Sequence, residues 1–290
     1  MNNKAVTGCS FFPIVGLKVS NVCRMRCKFC CEASQKREAH PVEDYLALVK
    51  MFKTAGVKRI CFTGGEPLLN PELDKIVKLS YENGIENIIV TSDGELLQKF
   101  DIPKEYISAI RVSLHGIGKE HDYIVGNEGA FSRINNAVDI LKKKGYRIQI
   151  STVLTTRSYN EIDEIINWCL EKGASRFYLL NLLNSGKGDK YINETGKVIP
   201  DTFNAVLEGS RKKYGQKIEI VGHPYVGNAE CVLIYGDGDV IIDPYFKSET
   251  HQKTIGNLFK ETTSEVFDKF KAEEEVYRDY LIRLSHSTLR

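Results

Sequence analysis

Residues 22–31 read Val22-Cys23-Arg24-Met25-Arg26-Cys27-Lys28-Phe29-Cys30-Cys31. Cys23, Cys27 and Cys30 follow a C-x3-C-x2-C pattern, and the apolar run at residues 12–19 predicts a strand directly before them. Thiolates this close can bind one iron–sulfur cluster, and a cubane held by three of them keeps one iron without a protein ligand. A structural zinc site is the alternative, although zinc loops favour two separated pairs of ligands. The loop alone leaves both kinds of site open.

A second motif follows the short apolar strand predicted at residues 59–62. It reads Phe62-Thr63-Gly64-Gly65-Glu66-Pro67, and its two glycines let the backbone approach a ligand closely. Bare N–H and C=O groups in such a loop can hold an amino-acid moiety. Together with the C-x3-C-x2-C loop, this motif resembles the radical S-adenosylmethionine (SAM) superfamily. The resemblance covers roughly residues 14–185.

The resemblance implies an enzyme with a single [4Fe–4S] cluster whose open iron is chelated by the amino and carboxylate groups of SAM. One electron from the cluster then cleaves the sulfonium, and the resulting 5′-deoxyadenosyl radical abstracts a hydrogen atom from the substrate. By the same resemblance Cys23, Cys27 and Cys30 ligate the cluster, and Phe29 shields it. The residues implied to contact SAM are Gly64, Gly65 and Glu66 at the methionine amine, Ser92 and Asp93 near the methionine or ribose, and Ser113 at the methionine carboxylate.

The segment after the predicted fourth strand carries a group of polar side chains, namely His115, His121, Asp122 and Tyr123. They either line a substrate pocket or stabilise a loop, and His115 and Tyr123 are the candidate catalytic residues. Related enzymes often place a basic residue here to assist at the SAM carboxylate. Residues 126–129 contain no arginine, so Arg133 is the candidate substitute, with an ordinary surface position as the alternative.

Cys31 is an extra thiol next to a predicted ligand, and it could compete for iron. Adjacent side chains diverge from one another along a backbone. This divergence favours the interpretation that Cys31 lies outside the cluster site.

The composition is that of an ordinary soluble globular protein. Of 290 residues, 42% are apolar and 27% are charged, and the formal net charge is +2. So small a net charge gives no strong field toward nucleic acid or a membrane surface. Eight cysteines in a chain of this length do not form a secreted disulfide pattern, and no apolar run reaches the ~20 residues of a membrane span. We therefore expect a cytoplasmic protein with neither nucleic acid nor membrane as a partner.

Apolar and β-branched runs alternate with helical patterns along the first two thirds of the chain, which predicts a parallel sheet covered by helices. Six strand–helix units are two short of a closed eightfold barrel. We therefore expect an α/β fold, an incomplete parallel (βα)6 TIM-type barrel spanning residues 1–216. Functional groups collect at the carboxyl ends of the strands in such barrels. The predicted strands are residues 12–19, 59–62, 87–91, 109–114, 147–153 and 175–180.

Residues 217–290 are predicted to form a small C-terminal α+β extension. Its hairpin resembles the SPASM domain of peptide-modifying and sugar-modifying family members, which holds auxiliary clusters. Cys231 is present, but Asp243 stands where a second cysteine is expected, and no further cysteine follows. The extension therefore resembles a remnant that closes the barrel and shapes the substrate pocket. Its predicted elements are a strand at 217–221, a hairpin around Gly236-Asp237-Gly238, and a helix from 263 to about 284 with Val266, Phe267, Phe270 and Tyr277 as its apolar stripe.

The substrate is where the sequence is least informative. The SPASM-like tail favours a peptide or another natural-product intermediate. Resemblance of the first half to the molybdenum-cofactor cyclase and to viperin makes a nucleotide the alternative. The resemblance also implies an electron donor such as flavodoxin or ferredoxin. A non-catalytic zinc-binding module is the rival interpretation from another class of protein.

Overall fold

In the computed structural model, helices pack against one sheet of ten strands. The structure describes residues 11–34, 40–182, 186–223, 232–242 and 253–273. In that part of the chain the strands are β1 (Ile14–Ser20), β2 (Arg59–Gly64), β3 (Asn87–Ser92), β4 (Ala109–Ser113), β5 (Ile148–Leu154), β6 (Arg176–Asn181), β7 (Glu219–His223), β8 (Val232–Tyr235), β9 (Asp239–Ile242) and β10 (Lys253–Asn257). The α-helices are α1 (Val42–Ala55), α2 (Leu73–Glu82), α3 (Lys119–Val125), α4 (Ala130–Lys143), α5 (Ile162–Lys172), α6 (Gly188–Thr195), α7 (Pro200–Tyr214) and α8 (Thr263–Ala272).

The sheet is parallel through most of its width. The strand order is β10-β9-β8-β1-β2-β3-β4-β5-β6-β7. Neighbours from β1 to β7 pair in parallel, and β8 also pairs in parallel with β1. The β8–β9 and β9–β10 pairs are antiparallel. Within the described residues this order is linear and does not close on itself, which confirms the predicted α/β fold with an incomplete TIM-type barrel.

The strand predicted at residues 217–221 widens the main sheet. It is β7, and it lies parallel to β6, so the sheet continues past the sixth strand–helix unit. At the other side of the barrel strands, β8 of the predicted hairpin lies against β1. Residues on both sides of position 216 therefore share one sheet, and the domain boundary at 216 stays a prediction.

The helices bury one face of the sheet because side chains alternate between the two faces along each strand. Leu17, Ile60 and Ile110 belong to one buried apolar group that also contains Leu48 of α1 and Ile134 of α4. The opposite side of the strands is the inner face of the sheet.

None of the described helices is long and apolar enough to cross a membrane.

The predicted C-terminal helix is present as α8, and it packs on the segment before β1. The rings of Phe270 and Phe267 lie 4.7 and 5.0 Å from the ring of Phe12. Because Phe12 precedes β1, α8 lies at the amino end of that strand. The helix is thus remote from the rim where the sequence predicts the substrate pocket.

Three residues of the predicted C-terminal extension lie outside the described part of the chain, namely Cys231, Asp243 and Tyr277.

We expect Phe270→Ala to lower the free energy of unfolding by about 3–5 kcal/mol, because it removes a buried ring and leaves a cavity. Phe270 is 1% exposed and stacks with Phe267 as well as contacting Phe12. Urea unfolding measures the loss. Phe259→Ala is the matched control, since Phe259 is 42% exposed and its removal should cost little. Equal losses in the two variants would contradict the packing of α8 on Phe12.

Candidate active site

The predicted motifs meet at one rim of the sheet, where β1, β2 and β3 end. The cysteine loop follows β1, Gly64 ends β2, and Ser92 ends β3. Side chains join these loops: the Cys23 thiol donates a hydrogen bond to Asp93 Oδ2 at 3.4 Å. The parallel topology brings these residues together because it places the carboxyl ends of neighbouring strands at the same edge.

Backbone hydrogen bonds hold the cysteine loop on two sides. The amides of Arg26 and Lys28 donate to carbonyls at the end of α3, at 2.8 and 2.9 Å. On the other side, the Lys187 amide donates to the Cys30 carbonyl at 3.0 Å. The loop is therefore ordered by the protein's own backbone.

Among the three predicted cluster ligands, Cys27 lies within electrostatic reach of both Cys23 and Cys30. Burial raises the pKa of Cys27 to about 12, and the Cys30 thiol and the Asp93 carboxylate add to the effect. Burial also raises the pKa of Cys23, with Asp93 and Cys27 as further causes. Such thiols are protonated at neutral pH, and a cationic iron centre supplies the charge that converts thiols to thiolates. The donor set thus fits an iron–sulfur cluster.

Within the described residues, no three His, Cys, Asp or Glu side chains are grouped closely enough to hold one metal ion. A mononuclear zinc site needs its sulfur ligands about 2.3 Å from the same ion. A cubane takes each thiolate at a different iron, so a cluster does not require the three thiols to meet at one ion.

The fourth thiol of the loop faces a carboxylate. Cys31 begins the short 3₁₀ helix Cys31–Ser34, and its Sγ lies 3.8 Å from Oε1 of Glu32. This contact supports the interpretation of Cys31 as a thiol outside the cluster site.

The glycines of the second motif approach the chain's own backbone. The amides of Gly65 and Glu66 donate to the carbonyls of Ser20 and Val22, each at 2.7 Å. A Cβ at Gly64 would lie 2.2 Å from the Ser20 oxygen, and one at Gly65 would lie 2.3 Å from the Val22 oxygen. The sequence predicts that both glycines allow close approach of the backbone to a ligand. The structure adds that they allow this loop to pack on the segment that leads into the cysteine loop.

Glu66 is a buried carboxyl group that joins two loops of the rim. The residue is 1% exposed. The carboxylate accepts hydrogen bonds from the backbone amides of Leu68 and Asp93, at 3.0 and 2.7 Å, and from the Ser92 hydroxyl at 3.2 Å. Burial raises its pKa to about 8, and the Asp93 carboxylate adds to the shift, while the two amides oppose it. The side chains of Glu66 and Ser92 therefore hold the loops after β2 and β3 together.

The two candidate catalytic residues lie in different environments. His115 is buried, and its ring centroid lies 5.0 Å from that of Phe29, the residue predicted to shield the cluster. Tyr123 is 48% exposed, and its ring contacts the Lys28 ammonium at 4.2 Å and the Arg157 guanidinium at 4.4 Å. His115 thus lies against the shielding ring, whereas Tyr123 lies on the outer surface.

His121 and Asp122 make contacts that stabilise the loop after β4. His121 Nδ1 accepts the backbone amide of His115 at 3.1 Å. The Asp122 carboxylate accepts the amides of Gly129 and Phe131, at 2.7 and 2.8 Å, at the start of α4. Of the two predicted roles, the structure supports loop stabilisation for both residues.

We expect acid to destabilise the fold through His115 and His121. Burial lowers the pKa of His115 to about 3 and that of His121 to about 4. Both Nδ1 atoms accept backbone amides, which requires neutral rings. Below the ordinary histidine pKa, the unfolded chain binds protons that the folded chain does not. The unfolding free energy should therefore fall as the pH is lowered from about 6.5 to about 4, by up to about 1.4 kcal/mol per pH unit for each histidine.

Urea unfolding of the metal-free protein at several pH values measures this loss. His121→Asn keeps a hydrogen-bond acceptor for the His115 amide and removes the titrating ring, so its stability should depend less steeply on pH. His40→Asn is the control, because the His40 side chain is partly exposed. Parallel pH dependences for the wild type and His121→Asn would contradict the assignment.

Arg133, the candidate partner of the SAM carboxylate, is bound by neighbouring protein groups. Its Nε donates to Glu95 Oε2 and its Nη2 to Asn127 Oδ1, both at 2.8 Å. A third bond, from Nη1 to the Glu128 carbonyl, measures 3.0 Å. Arg133 therefore connects the start of α4 to the loop after β3.

Ser113, which the resemblance implies at the methionine carboxylate of SAM, is the last residue of β4 and is half-buried there.

A row of polar side chains crosses the inner face of the sheet, and sequence reasoning did not identify it. Its members stand opposite one another on neighbouring strands. The registered pairs are Tyr235–Lys18, Lys18–Thr63, Thr91–Arg111, Arg111–Gln149, Gln149–Arg176 and Arg176–Glu219. Lys18, Arg111 and Arg176 are buried cations. The available signal was a polar or charged residue within an otherwise apolar strand, which marks a side chain turned away from the helices.

Comparison with known proteins gives three results. Residues 17–169 match the family model described as the Radical SAM superfamily. The chain is 29% identical over 206 residues to the S-adenosylmethionine-dependent nucleotide dehydratase of Flammeovirga pacifica, which covers 66% of this chain and 70% of that protein. It is 24% identical over 238 residues to the GTP 3′,8-cyclase of Mannheimia succiniciproducens, which covers 76% of this chain and 69% of the cyclase.

Among solved structures, the fold is similar to that of Streptococcus suis SuiB bound to its precursor peptide SuiA. The TM-score is 0.71 at 20% identity, and the match covers 89% of this chain and 65% of the SuiB chain. At this level of identity the likeness concerns the fold alone.

Proposed function

Because this chain belongs to the radical SAM superfamily, we propose that it abstracts a hydrogen atom from a peptide or another natural-product intermediate. Enzymes of this superfamily use a [4Fe–4S] cluster and SAM, and this protein is such an enzyme. The observation that carries the proposal is the packing of Gly64 and Gly65 on the backbone that leads into the cysteine loop. That packing supports the proposal, because the loop after β2 contacts Ser20 and Val22, which directly precede Cys23.

In this proposal Cys23, Cys27 and Cys30 hold the cluster, and the backbone at Gly64 and Gly65 receives the methionine amine. The chemistry supplied by the bound cluster and SAM is one-electron cleavage of the sulfonium to a 5′-deoxyadenosyl radical.

The chain's own residues position these groups and exclude water from them. Glu66 fixes the loops after β2 and β3 to each other through the Asp93 amide. The buried ring of Phe29 excludes water from one side of the cysteine loop, and Ser113 at the end of β4 offers a hydroxyl to the methionine carboxylate.

Two observations bear on the class of substrate. The fold likeness to SuiB, which has been solved with a precursor peptide, supports a peptide. The C-terminal strands β8 to β10 support the same choice, because in the sequence their hairpin resembles the SPASM framework.

A nucleotide is the second candidate, and a specific observation favours it. The inner face carries the buried cations Lys18, Arg111 and Arg176, of which Lys18 and Arg176 are ion-paired with Glu32 and Glu219, and cationic side chains bind phosphate groups. The two curated relatives are described as a nucleotide dehydratase and a GTP cyclase. A polar, charged interior suits a phosphorylated substrate at least as well as a peptide.

The test is release of 5′-deoxyadenosine by anaerobically reconstituted protein. With dithionite in place of an electron donor such as flavodoxin or ferredoxin, we expect slow release without substrate. A substrate accelerates it, so nucleoside triphosphates and a library of short peptides are compared. Acceleration by a triphosphate alone would replace the peptide proposal with the nucleotide. A protein that binds zinc, assembles no cluster and releases no 5′-deoxyadenosine would contradict both.

A further inference from the structure

Three side chains form a closed hydrogen-bonded network beside the cysteine loop. Lys18 on β1 donates through Nζ to Glu32 Oε1 and to the Tyr235 hydroxyl, the latter at 2.9 Å. The Tyr235 hydroxyl in turn donates to Glu32 Oε2 at 3.4 Å. The Lys18 side chain is 3% exposed and that of Glu32 is 21% exposed. The network is therefore a largely buried ion pair with a tyrosine bridging its two ends.

The network connects the cysteine loop to two strands of the sheet. Glu32 lies two residues after Cys30, and its Oε1 also lies 3.8 Å from the Cys31 thiol. Tyr235 ends β8, which pairs in parallel with β1, and Tyr235 stands opposite Lys18 in that register. Two opposite charges are thus held at fixed places in contact with the segment that directly follows the third proposed cluster ligand.

Lys18 remains charged in this environment. Burial alone would lower its pKa, but Glu32, and to a lesser degree Tyr235 and Cys31, raise it above the usual lysine value. Charges that are removed from water are screened little by salt. The field of each charge therefore extends to groups a few ångströms beyond the pair.

We propose that Lys18 and Glu32 set the reduction potential of the cluster held by Cys23, Cys27 and Cys30. Reduction adds one electron, and with it one negative charge, at the cysteine loop. The buried ammonium of Lys18 stabilises that charge and raises the potential, whereas the Glu32 carboxylate opposes it and lowers the potential. The inference rests on the proposed function, because it requires a cluster at the three thiols.

The experiment is a potentiometric titration of anaerobically reconstituted protein, with the electron paramagnetic resonance signal of the reduced cluster as the readout. Lys18→Met leaves the Glu32 charge behind, so we expect a shift to a more negative potential. Glu32→Gln removes the carboxylate that opposes reduction, so we expect a shift to a more positive potential. Lys18→Arg keeps the charge and should restore a potential near that of the wild type.

Lys172→Met is the matched control, because Lys172 is also buried and ion-paired, with Asp139 at 2.8 Å, but lies on α5. Its potential should equal that of the wild type. A merely structural network would loosen the loop in both test variants, and their potentials would then move in the same direction or not at all. Either result would overturn the inference.

If Lys18→Met assembles no cluster, Glu32→Gln decides alone, and an unchanged potential there rejects the inference. Wild-type protein that assembles no cluster would reject the proposed function itself, and with it this inference. The two failures are distinguished by the iron content of the wild type.

Discussion

Replacing Cys27 with alanine is expected to abolish the iron content of the anaerobically reconstituted protein. The wild type should bind about four irons and four sulfides per chain, because three thiolates suffice to hold one cubane. Cys23→Ala and Cys30→Ala should have the same effect, since the three thiols lie on one loop that the backbone holds from both sides. Iron and acid-labile sulfide analysis, together with the brown absorbance of the cluster, measures the loss.

Two cysteines serve as controls for this prediction. Cys31→Ala should keep its iron, because the Cys31 thiol faces Glu32. Cys169→Ala should also keep it, because Cys169 is buried among the core residues of α5. Loss of iron in Cys31→Ala would make Cys31 a ligand. A wild-type content near eight irons would reveal a second cluster, and bound zinc in place of iron would favour the non-catalytic module.

The parallel sheet could be predicted from the sequence because most of its strands are short, largely apolar runs. The strands expected at residues 109–114 and 175–180 are β4 (Ala109–Ser113) and β6 (Arg176–Asn181). Burial on both faces makes such runs stand out between amphipathic helices. The position of the motifs at one rim then follows from topology alone.

Contacts on the inner face could not be predicted, because they join residues that are distant in sequence. Lys18 and Tyr235 are 217 positions apart, and only the pairing of β8 with β1 brings them together. The same limit applies to Arg111, whose guanidinium lies 3.8 Å from the centre of the Tyr178 ring. A charged residue in an apolar strand predicts an inward side chain, but it does not identify the partner.

The roles of single motif residues were predictable only in part. The resemblance implies that Glu66 and Ser92 contact SAM, whereas in the structure the Glu66 carboxylate accepts hydrogen bonds from the Ser92 hydroxyl and the Asp93 amide. Tyr123 follows the fourth strand as expected, but the turn of α3 directs its ring to the surface. Side-chain direction depends on the local turn, and the spacing of a motif does not specify it.

Gly65→Val is expected to lower the rate of 5′-deoxyadenosine release by about 100-fold or more, since a misplacement near 1 Å in a reacting site has an effect of that size. A Cβ at Gly65 would meet the Val22 carbonyl oxygen at 2.3 Å and the Val22 carbonyl carbon at 2.6 Å. Both atoms belong to backbone, so the loop after β2 and the cysteine loop must separate. The two amide-to-carbonyl bonds that join these loops, each 2.7 Å long, would then lengthen or break.

The matched control is Gly209→Val in α7, where a Cβ meets no atom within 4 Å. Replacing glycine with valine at this position changes only the intrinsic helix propensity, by a small free energy. Release of 5′-deoxyadenosine should therefore be unchanged. Iron content separates two causes of failure at Gly65. Retention of the cluster with loss of SAM cleavage would place the damage in the SAM loop, whereas loss of both would show that the glycine pair also holds the cysteine loop in place. Unchanged cleavage in Gly65→Val would remove Gly64 and Gly65 from the SAM site, because neither ligand approach nor loop packing tolerates a β-branched side chain at that distance.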